Sequence, residues 1–145
     1  MARTPRCQPR FLELWGVRGY RHAMHADIID LRAFYASRLG RLAERAIAMA
    51  IAPVWTQIPN ERLVGLGYVL PWLERFGADA ERVFAFMPAT QGAVRWPPQG
   101  PAATALVFDE DLPLPDSAID RILMVHALEH AESPHETLQE MWRVL

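Results

Sequence analysis

The sequence contains no lysine and only one cysteine. All 15 of its basic residues are arginine, which a GC-rich coding sequence explains as well as any arginine-based function, so this bias predicts no activity. The lone cysteine, Cys7, excludes an internal disulfide framework and a zinc site built from four cysteines. We therefore expect the protein to reside in a reducing compartment.

Long hydrophobic runs are also missing. The longest, residues 46–55, is far shorter than the roughly 20 residues that a helix needs to cross a bilayer. Glu13 and Arg18 interrupt the N-terminal stretch, which therefore lacks the apolar centre of a signal peptide. These absences predict no membrane association and a cytoplasmic location.

Net charge is small, and its value of -2 gives no general case for nucleic-acid binding. The positive charge is concentrated in residues 1–23, which hold five arginines and a single acidic residue. We predict that residues 1–23 are a basic extension outside the domain. It is either a flexible arm, solvated or in contact with anionic partners, or residue from an upstream start site. The length and the hydrophobic content of 51% predict one globular domain over residues 24–145.

One glycine pair follows an apolar run directly. The apolar run lies in residues 62–66, which include the first two residues of Gly65-Leu66-Gly67. Apolar residues with helical spacing follow Gly67. This order predicts a buried strand that turns sharply into a helix. The glycines allow either a tight turn or the close approach of a nucleotide, and the turn alone does not distinguish these interpretations.

The rest of the chain alternates predicted helices and strands. Apolar residues recur at helical spacing from Asp30 to Pro53, and we expect Gly40 to divide or bend this helix. We predict strands at residues 62–66, 82–87, 103–108 and 119–125, with an irregular loop at 89–101. A helix at 68–76 is expected to end with Gly77 in the C′ position.

The final helix is predicted from a capping box, in which Ser133 is the N-cap and Glu136 its partner. Its expected apolar stripe consists of Leu138, Met141, Trp142 and Leu145. Apolar strands that alternate with helices predict an α/β fold with an open, doubly wound, Rossmann-like and mostly parallel sheet, preceded by N-terminal helices. Ligands of such sheets bind at the carboxyl ends of the strands.

Four segments in the second half of the chain resemble the class I S-adenosylmethionine-dependent methyltransferases. They are Leu112-Pro113-Leu114-Pro115-Asp116, Ile119-Asp120-Arg121-Ile122-Leu123, Ala127-Leu128-Glu129-His130 and Leu138-Gln139-Glu140-Met141-Trp142-Arg143-Val144-Leu145. The glycine turn falls where that family's first cofactor loop belongs, so the resemblance covers residues 63–145.

The resemblance implies S-adenosylmethionine as the cofactor. It places the methionine part of the cofactor on the backbone of the glycine turn, and the adenine near the acidic turn that follows the third strand. His126, at the mouth of the fourth strand, is expected to contact the cofactor and to act as a base on the acceptor. The expected cofactor-binding residues are Gly65, Leu66, Gly67, Met87, Asp109, Glu110 and His126.

The sequence departs from the pattern of this family in three places. Leu63 and Val69 stand where an acidic residue and a third glycine are usual. The second strand ends in Phe86 and Met87 rather than in a carboxylate for the ribose; Gln91, Gln99 or a backbone group could substitute, and Trp96 could stack on adenine. The family pattern continues with further strands, so we expect a domain truncated after the fourth strand and its following helix. Its open sheet edge is a candidate surface for self-association.

His126-Ala127-Leu128-Glu129-His130 also satisfies the H-x-x-E-H pattern of inverzincin metallopeptidases. In that pattern one helix carries two zinc-binding histidines and a glutamate that activates water. Here the motif directly follows a predicted strand, and the next helix starts only at Ser133. We therefore predict no metal site.

Two functional hypotheses follow. The first is S-adenosylmethionine-dependent methyl transfer to a small molecule, because no basic or aromatic platform for nucleic acid is present. The second is a non-catalytic methyltransferase-like fragment or pseudoenzyme that acts in protein interaction, which the missing carboxylates favour. A nicotinamide-dependent enzyme is disfavoured, because the glycine pattern is incomplete and no acidic residue ends the second strand.

Overall fold

A computed structural model describes residues 27–55 and 58–145. The predicted extension, residues 1–23, and the predicted start of the domain at residue 24 lie outside the described residues. The elements are, in chain order, α1 (Ile28–Ala36), α2 (Arg38–Ile51), β1 (Arg62–Gly67), α3 (Leu70–Phe76), β2 (Arg82–Pro88), β3 (Thr104–Val107), β4 (Arg121–Val125), a 3₁₀ helix (Leu128–His130) and α4 (Pro134–Val144). Among the described residues, no helix has both the length and the apolar character required to cross a bilayer.

The four strands form one parallel sheet in the order β3-β2-β1-β4. In the central strand β1, Leu66 pairs with Phe86 of β2 on one side and with Met124 of β4 on the other. The strands β3 and β4 are the two edges of this sheet. The predicted parallel sheet is confirmed, and it brings the ends of all four strands to one edge of the domain.

Helices cover both faces of the sheet, as predicted. On one face, Leu63 belongs to a core cluster with residues of α1 to α3, among them Trp72 and Leu73. On the other face, Val64 and Leu66 belong to a cluster with Met141 and Val144 of α4. Because consecutive β1 residues point to opposite faces, this single strand connects the two cores.

The N-terminal helices are separated at Ser37, and the prediction that Gly40 divides or bends the helix is wrong. Ser37 is both the C-cap of α1 and the N-cap of α2, and its Oγ accepts a hydrogen bond from Gly40 N at 3.0 Å. Gly40 lies inside α2, where an added Cβ would come 2.0 Å from the carbonyl oxygen of Phe34. Gly40 therefore allows α2 to cross close to the end of α1.

Two predicted details of helix ends are also wrong. Gly77 ends α3 with a φ of -91°, so it does not adopt the left-handed C′ conformation. Ser133 is the N-cap of α4, but its side chain accepts no capping hydrogen bond. Instead, its carbonyl oxygen accepts a hydrogen bond from Thr137 Oγ1 at 3.2 Å. At the start of α4, Ser133 is therefore hydrogen-bonded to this side chain through its backbone and not through its hydroxyl.

The apolar stripe of α4 differs from the prediction as well. Met141 and Val144 are buried, whereas Leu138, Trp142 and Leu145 are exposed. The helix carries two neighbouring apolar faces, and the face with Met141 and Val144 packs on the sheet. The exposed face is called the outer stripe of α4 below.

Candidate functional site

Gly67 ends β1 and turns the chain towards α3. Its φ is +88°, a left-handed conformation that favours glycine. A Cβ on Gly67 would lie 2.3 Å from the carbonyl oxygen of Val125, and a Cβ on Gly65 would lie 2.3 Å from Val69 Cγ2. Both glycines therefore allow close packing between segments of the chain itself.

The turn after Gly67 is mostly buried. Leu66 and Val69 have no exposed surface, and Tyr68 is 5% exposed. The helix that follows begins at Leu70 and has Pro71, which lacks an N–H, in its first turn. The backbone of this turn consequently has fewer N–H groups available to a ligand than we expect of a turn between a strand and a helix.

Tyr35 of α1 covers this turn. Its ring stacks on Tyr68 with 5.4 Å between ring centroids, and it meets Trp72 edge-on at 5.3 Å. Burial raises the pKa of the Tyr35 phenol, and the charges of Tyr68 and Glu129 act in the same direction. Tyr35 is therefore a neutral hydroxyl at neutral pH, placed directly above the candidate cofactor loop.

His126 follows β4 and lies between two polar partners. Its Nε2 is 2.7 Å from Tyr35 Oη, and its Nδ1 is 3.0 Å from Glu129 Oε1. Its φ of +54° is unusual for a residue other than glycine. Gln91 Nε2 donates a hydrogen bond to the His126 carbonyl oxygen at 2.5 Å and so helps to hold this conformation.

The partners of His126 determine how its protons are arranged in the neutral ring. A carboxylate only accepts, so Glu129 requires a proton on Nδ1 of His126. The lone pair on Nε2 then accepts the hydrogen bond from the Tyr35 hydroxyl. Burial acts to raise the pKa of Glu129, but its backbone hydrogen bond, the hydrogen bond from His126 and the charges of His126 and His130 outweigh burial, and the pKa lies below its ordinary value.

Met87 lies at the end of β2, as predicted, but its side chain is fully buried. Its Sδ accepts a hydrogen bond from Val94 N at 3.3 Å. Nearby, Gln91 is 2% exposed, and its Oε1 has no hydrogen-bond partner among the described residues. The acceptor without a partner near the end of β2 is thus Oε1 of Gln91, because Sδ of Met87 already accepts a hydrogen bond.

Asp109 and Glu110 line a cavity of about 160 Å³ at the ends of β2 and β3. Asp109 is buried and accepts a hydrogen bond from Thr137 Oγ1 at 2.8 Å. The backbone hydrogen bond of Glu110 lowers its pKa, but a hydrogen bond with Asp109, desolvation and the charges of Asp109 and Glu132 outweigh it and raise the pKa. The other lining residues are Ala89, Thr90, Val107, Phe108 and Glu132.

Trp96 lines a different cavity, of about 390 Å³, together with Tyr68 and Arg32. Its Nε1 donates a hydrogen bond to Glu74 Oε1 of α3 at 3.0 Å. Trp96 therefore does not line the Asp109 cavity. The two groups predicted to contact adenine, the Trp96 ring and the acidic turn at Asp109, lie in different cavities.

The structure brings together the glycine turn and His126, and it adds Tyr35 and Gln91 to them. Tyr35 lies within the apolar helical pattern predicted for residues 30–53, without being singled out, and Gln91 was expected only as a possible substitute for a missing ribose carboxylate. A tyrosine hydroxyl at a buried helical position needs a hydrogen-bond partner, and this requirement was the signal that could have singled out Tyr35.

A sequence model of the family described as "Methyltransferase domain" matches residues 35–145. This chain belongs to the class I S-adenosylmethionine-dependent methyltransferase family. The match begins at Tyr35, the residue that covers the glycine turn, and includes every candidate site residue. A comparison with curated proteins finds no match.

One solved methyltransferase complex shares the fold, and a second solved structure is similar to a lesser degree. A chain in the complex between the Haloferax volcanii Trm112 methyltransferase activator and a methyltransferase has a TM-score of 0.51 and 20% identity, covering 80% of this chain and 55% of that chain. A SAM-dependent methyltransferase from Aquifex aeolicus has a TM-score of 0.49 and 17% identity, covering 67% and 57%. The present chain thus spans little more than half the length of either.

Proposed function

We propose that this methyltransferase-family chain binds S-adenosylmethionine and takes part in methyl transfer to a small-molecule acceptor. The observation that carries the proposal is the arrangement at one sheet edge, where the Gly67 turn, the Tyr35–His126–Glu129 chain and the Asp109 cavity follow the ends of parallel strands. Ligands of open α/β sheets bind at this edge. The absence of a basic or aromatic platform in the sequence supports a small acceptor over nucleic acid, and the lone Cys7 supports a cytoplasmic location.

The side chains at this edge suit the chemical groups of the cofactor. The carboxylates of Asp109 and Glu110 accept hydrogen bonds, which the amino group of an adenine donates, and their charge suits a sulfonium cation. The unpartnered Oε1 of Gln91 is a further acceptor near the end of β2. The backbone of Gly65, Leu66 and Gly67 shapes the loop, and Met87 supports it from the core.

When bound, the cofactor supplies a sulfonium methyl group that a nucleophile displaces in line. Positioning provides much of the rate of such a reaction, and the remaining task of the chain is to remove a proton from the acceptor. We propose that the acceptor proton passes to Tyr35 Oη while the hydroxyl proton of Tyr35 passes to Nε2 of His126. Glu129 stabilises the resulting imidazolium through its contact with Nδ1.

Calorimetric titration with S-adenosylhomocysteine tests the proposal. We expect micromolar binding. A Glu110→Gln variant is expected to bind about tenfold more weakly, because its hydrogen bond to the cofactor no longer involves a charged carboxylate, a loss of about 1.4 kcal/mol. Glu136→Gln is the matched control, since Glu136 is an exposed carboxylate in the first turn of α4 and does not line the cavity. No binding by the folded protein would contradict the proposal.

The second candidate is a non-catalytic relative that acts through protein contacts. Two observations favour it: Tyr35 stacks over the candidate cofactor loop, and β2 ends without a carboxylate. The same titration separates the candidates. A folded chain that binds no S-adenosylhomocysteine would support the non-catalytic alternative.

A further inference from the structure

His126, Glu129 and His130 converge just after the end of β4. One ring nitrogen of each histidine and one carboxylate oxygen of Glu129 all lie within 4.8 Å of one another. We propose that these three side chains bind a divalent transition-metal ion, with Zn²⁺ as the preferred ion and water in the remaining position. This site does not rest on the proposed methyl transfer, but it shares His126, Glu129 and Tyr35 with it. In the metal-bound form Nε2 of His126 already carries a proton, so this form would not accept the proton of Tyr35.

The spacing of one pair of donor atoms fits a shared ion. Zinc binds histidine nitrogen and carboxylate oxygen at about 2.0–2.2 Å, which puts two neighbouring ligands on one ion roughly 2.8–3.6 Å apart. His126 Nδ1 and Glu129 Oε1 are 3.0 Å apart. An ion would replace the proton between them with little movement of either side chain.

The backbone places the three side chains without an α-helix through the motif. His126 has a φ of +54°, and Leu128–His130 form a single 3₁₀ helix before α4 begins at Pro134. Residues other than glycine keep such a conformation only when surrounding contacts impose it, and they cluster at functional sites. The inverzincin pattern therefore does not apply, and Glu129 is proposed as a ligand and not as a base that activates water.

Tyr35 completes the surroundings expected of a metal-binding histidine. With the ion on Nδ1, Nε2 of His126 carries the proton and donates it to Tyr35 Oη, 2.7 Å away. Metal-binding histidines usually donate their second N–H to such a partner, which fixes the ring orientation. Tyr35 is thus a positioning residue of the proposed site.

The donor set indicates which ion is preferred. Two imidazole nitrogens and one carboxylate oxygen suit Zn²⁺, and three protein ligands leave one position for water or substrate. The Glu129 side chain is 54% exposed, so the open position can be reached from solvent.

Metal-free full-length protein titrated with ZnCl₂ by calorimetry tests this proposal. Cys7, His22 and His25 offer further ligand atoms in the sequence, so every variant is made in a Cys7→Ser, His22→Ala, His25→Ala background. We expect one equivalent of zinc to bind this background. Glu129→Gln and His130→Ala are each expected to weaken binding at least about tenfold, and Tyr35→Phe by about tenfold.

His135→Ala is the matched control, because His135 is exposed on α4 and outside the cluster. It should bind zinc like the background. Absorption of the Co²⁺ complex gives a second measurement, with visible bands expected for the background and lost in Glu129→Gln. Glu129 is exposed and its glutamine replacement has the same shape, so this variant reports on binding even if His130→Ala fails to fold. A background protein that binds no zinc would overturn the proposal. So would a Glu129→Gln variant that binds zinc as tightly as the background.

Discussion

At the scale of single residues, Gly67 and Gly100 share a left-handed conformation but not their surroundings. Their φ values are +88° and +83°. A Cβ on Gly67 would overlap the carbonyl oxygen of Val125, whereas a Cβ on Gly100 would have no atom within 4 Å. The two positions therefore separate the cost of the backbone conformation from the cost of close packing.

We expect Gly67→Ala to lower the free energy of unfolding far more than Gly100→Ala. The Gly100 variant should lose about 1 kcal/mol, the cost of a left-handed residue that has a Cβ. The Gly67 variant should lose about 3 kcal/mol or more, because the overlapping atom belongs to the backbone and cannot rotate away. Urea unfolding measures both values, and equal losses would show that the contact with Val125 is unimportant.

The sequence predicted the glycine turn but not the polar contacts above it. An apolar run before Gly65 and Gly67 is a local pattern, and local patterns identify turns. The contact of Tyr35 Oη with His126 Nε2 joins positions 91 residues apart, and periodicity does not reveal which distant polar atoms meet. Met87 illustrates the same limit, since its place at the end of β2 was predicted whereas the burial of its side chain was not.

At the scale of elements, two side chains attach α4 to the segment before β4. Glu140 Oε1 accepts a hydrogen bond from Leu112 N at 2.7 Å, and Glu140 Oε2 accepts one from Arg143 Nε at 2.8 Å. Arg143 Nη1 also donates to Asp116 Oδ1 at 2.7 Å. These residues belong to the segments that resembled the family, so in this chain those segments hold the fold together.

We expect Glu140→Gln to destabilise the protein in a pH-dependent way. The hydrogen bond from Arg143 lowers the pKa of Glu140, with a further contribution from Leu112 N. A carboxyl with a lowered pKa stabilises the fold above its unfolded pKa of about 4.3, and this contribution is lost as the pH falls through the folded value. The variant should be about 1–2 kcal/mol less stable than the natural chain at pH 7, and the difference should shrink towards pH 3.

Chemical denaturation at both pH values measures this difference. Glu136→Gln is the control, because it changes an exposed carboxylate on the same helix and should leave the stability almost unchanged. A loss for Glu140→Gln that is the same at pH 3 and pH 7 would mean that packing, and not the charge of Glu140, holds the segment.

Elements with a single apolar pattern were predicted best. The strands are short apolar runs, and all four were found with small differences at their ends. The apolar stripe of α4 was predicted wrongly because Met141 and Trp142 are neighbours on the helix surface, and only the packing on the sheet decides which is buried. The break at Ser37 was missed because a serine cap ends one helix and begins the next without a glycine or proline.

At the scale of the whole molecule, the edge strand β4 and the outer stripe of α4 are both uncovered in the described structure. The stripe contains Trp142, which is 81% exposed. A cavity of about 620 Å³ joins the two features, since its lining includes Ile122 of β4 and Leu145. We propose that a second copy of the chain packs here, because unpaired strand edges and apolar surface favour association.

Sedimentation velocity at several protein concentrations tests self-association. We expect dimers that dissociate on dilution, and Trp142→Lys should shift the equilibrium towards monomer because it puts a charge in the apolar contact. Val54→Lys is the matched control, since Val54 is 75% exposed but lies in the turn after α2. A natural chain that remains monomeric at high concentration would contradict the proposal.

The hydrogen bonds of Gln91 connect segments that are synthesised at different times. Its backbone carbonyl accepts a hydrogen bond from Ile28 N at the start of α1, and its side chain donates to the carbonyl of His126. Helix α1 leaves the ribosome long before either partner. Its contact with His126, through Tyr35 Oη, forms only after β4 has emerged and joined β1, so the candidate site is among the last parts of this chain to form.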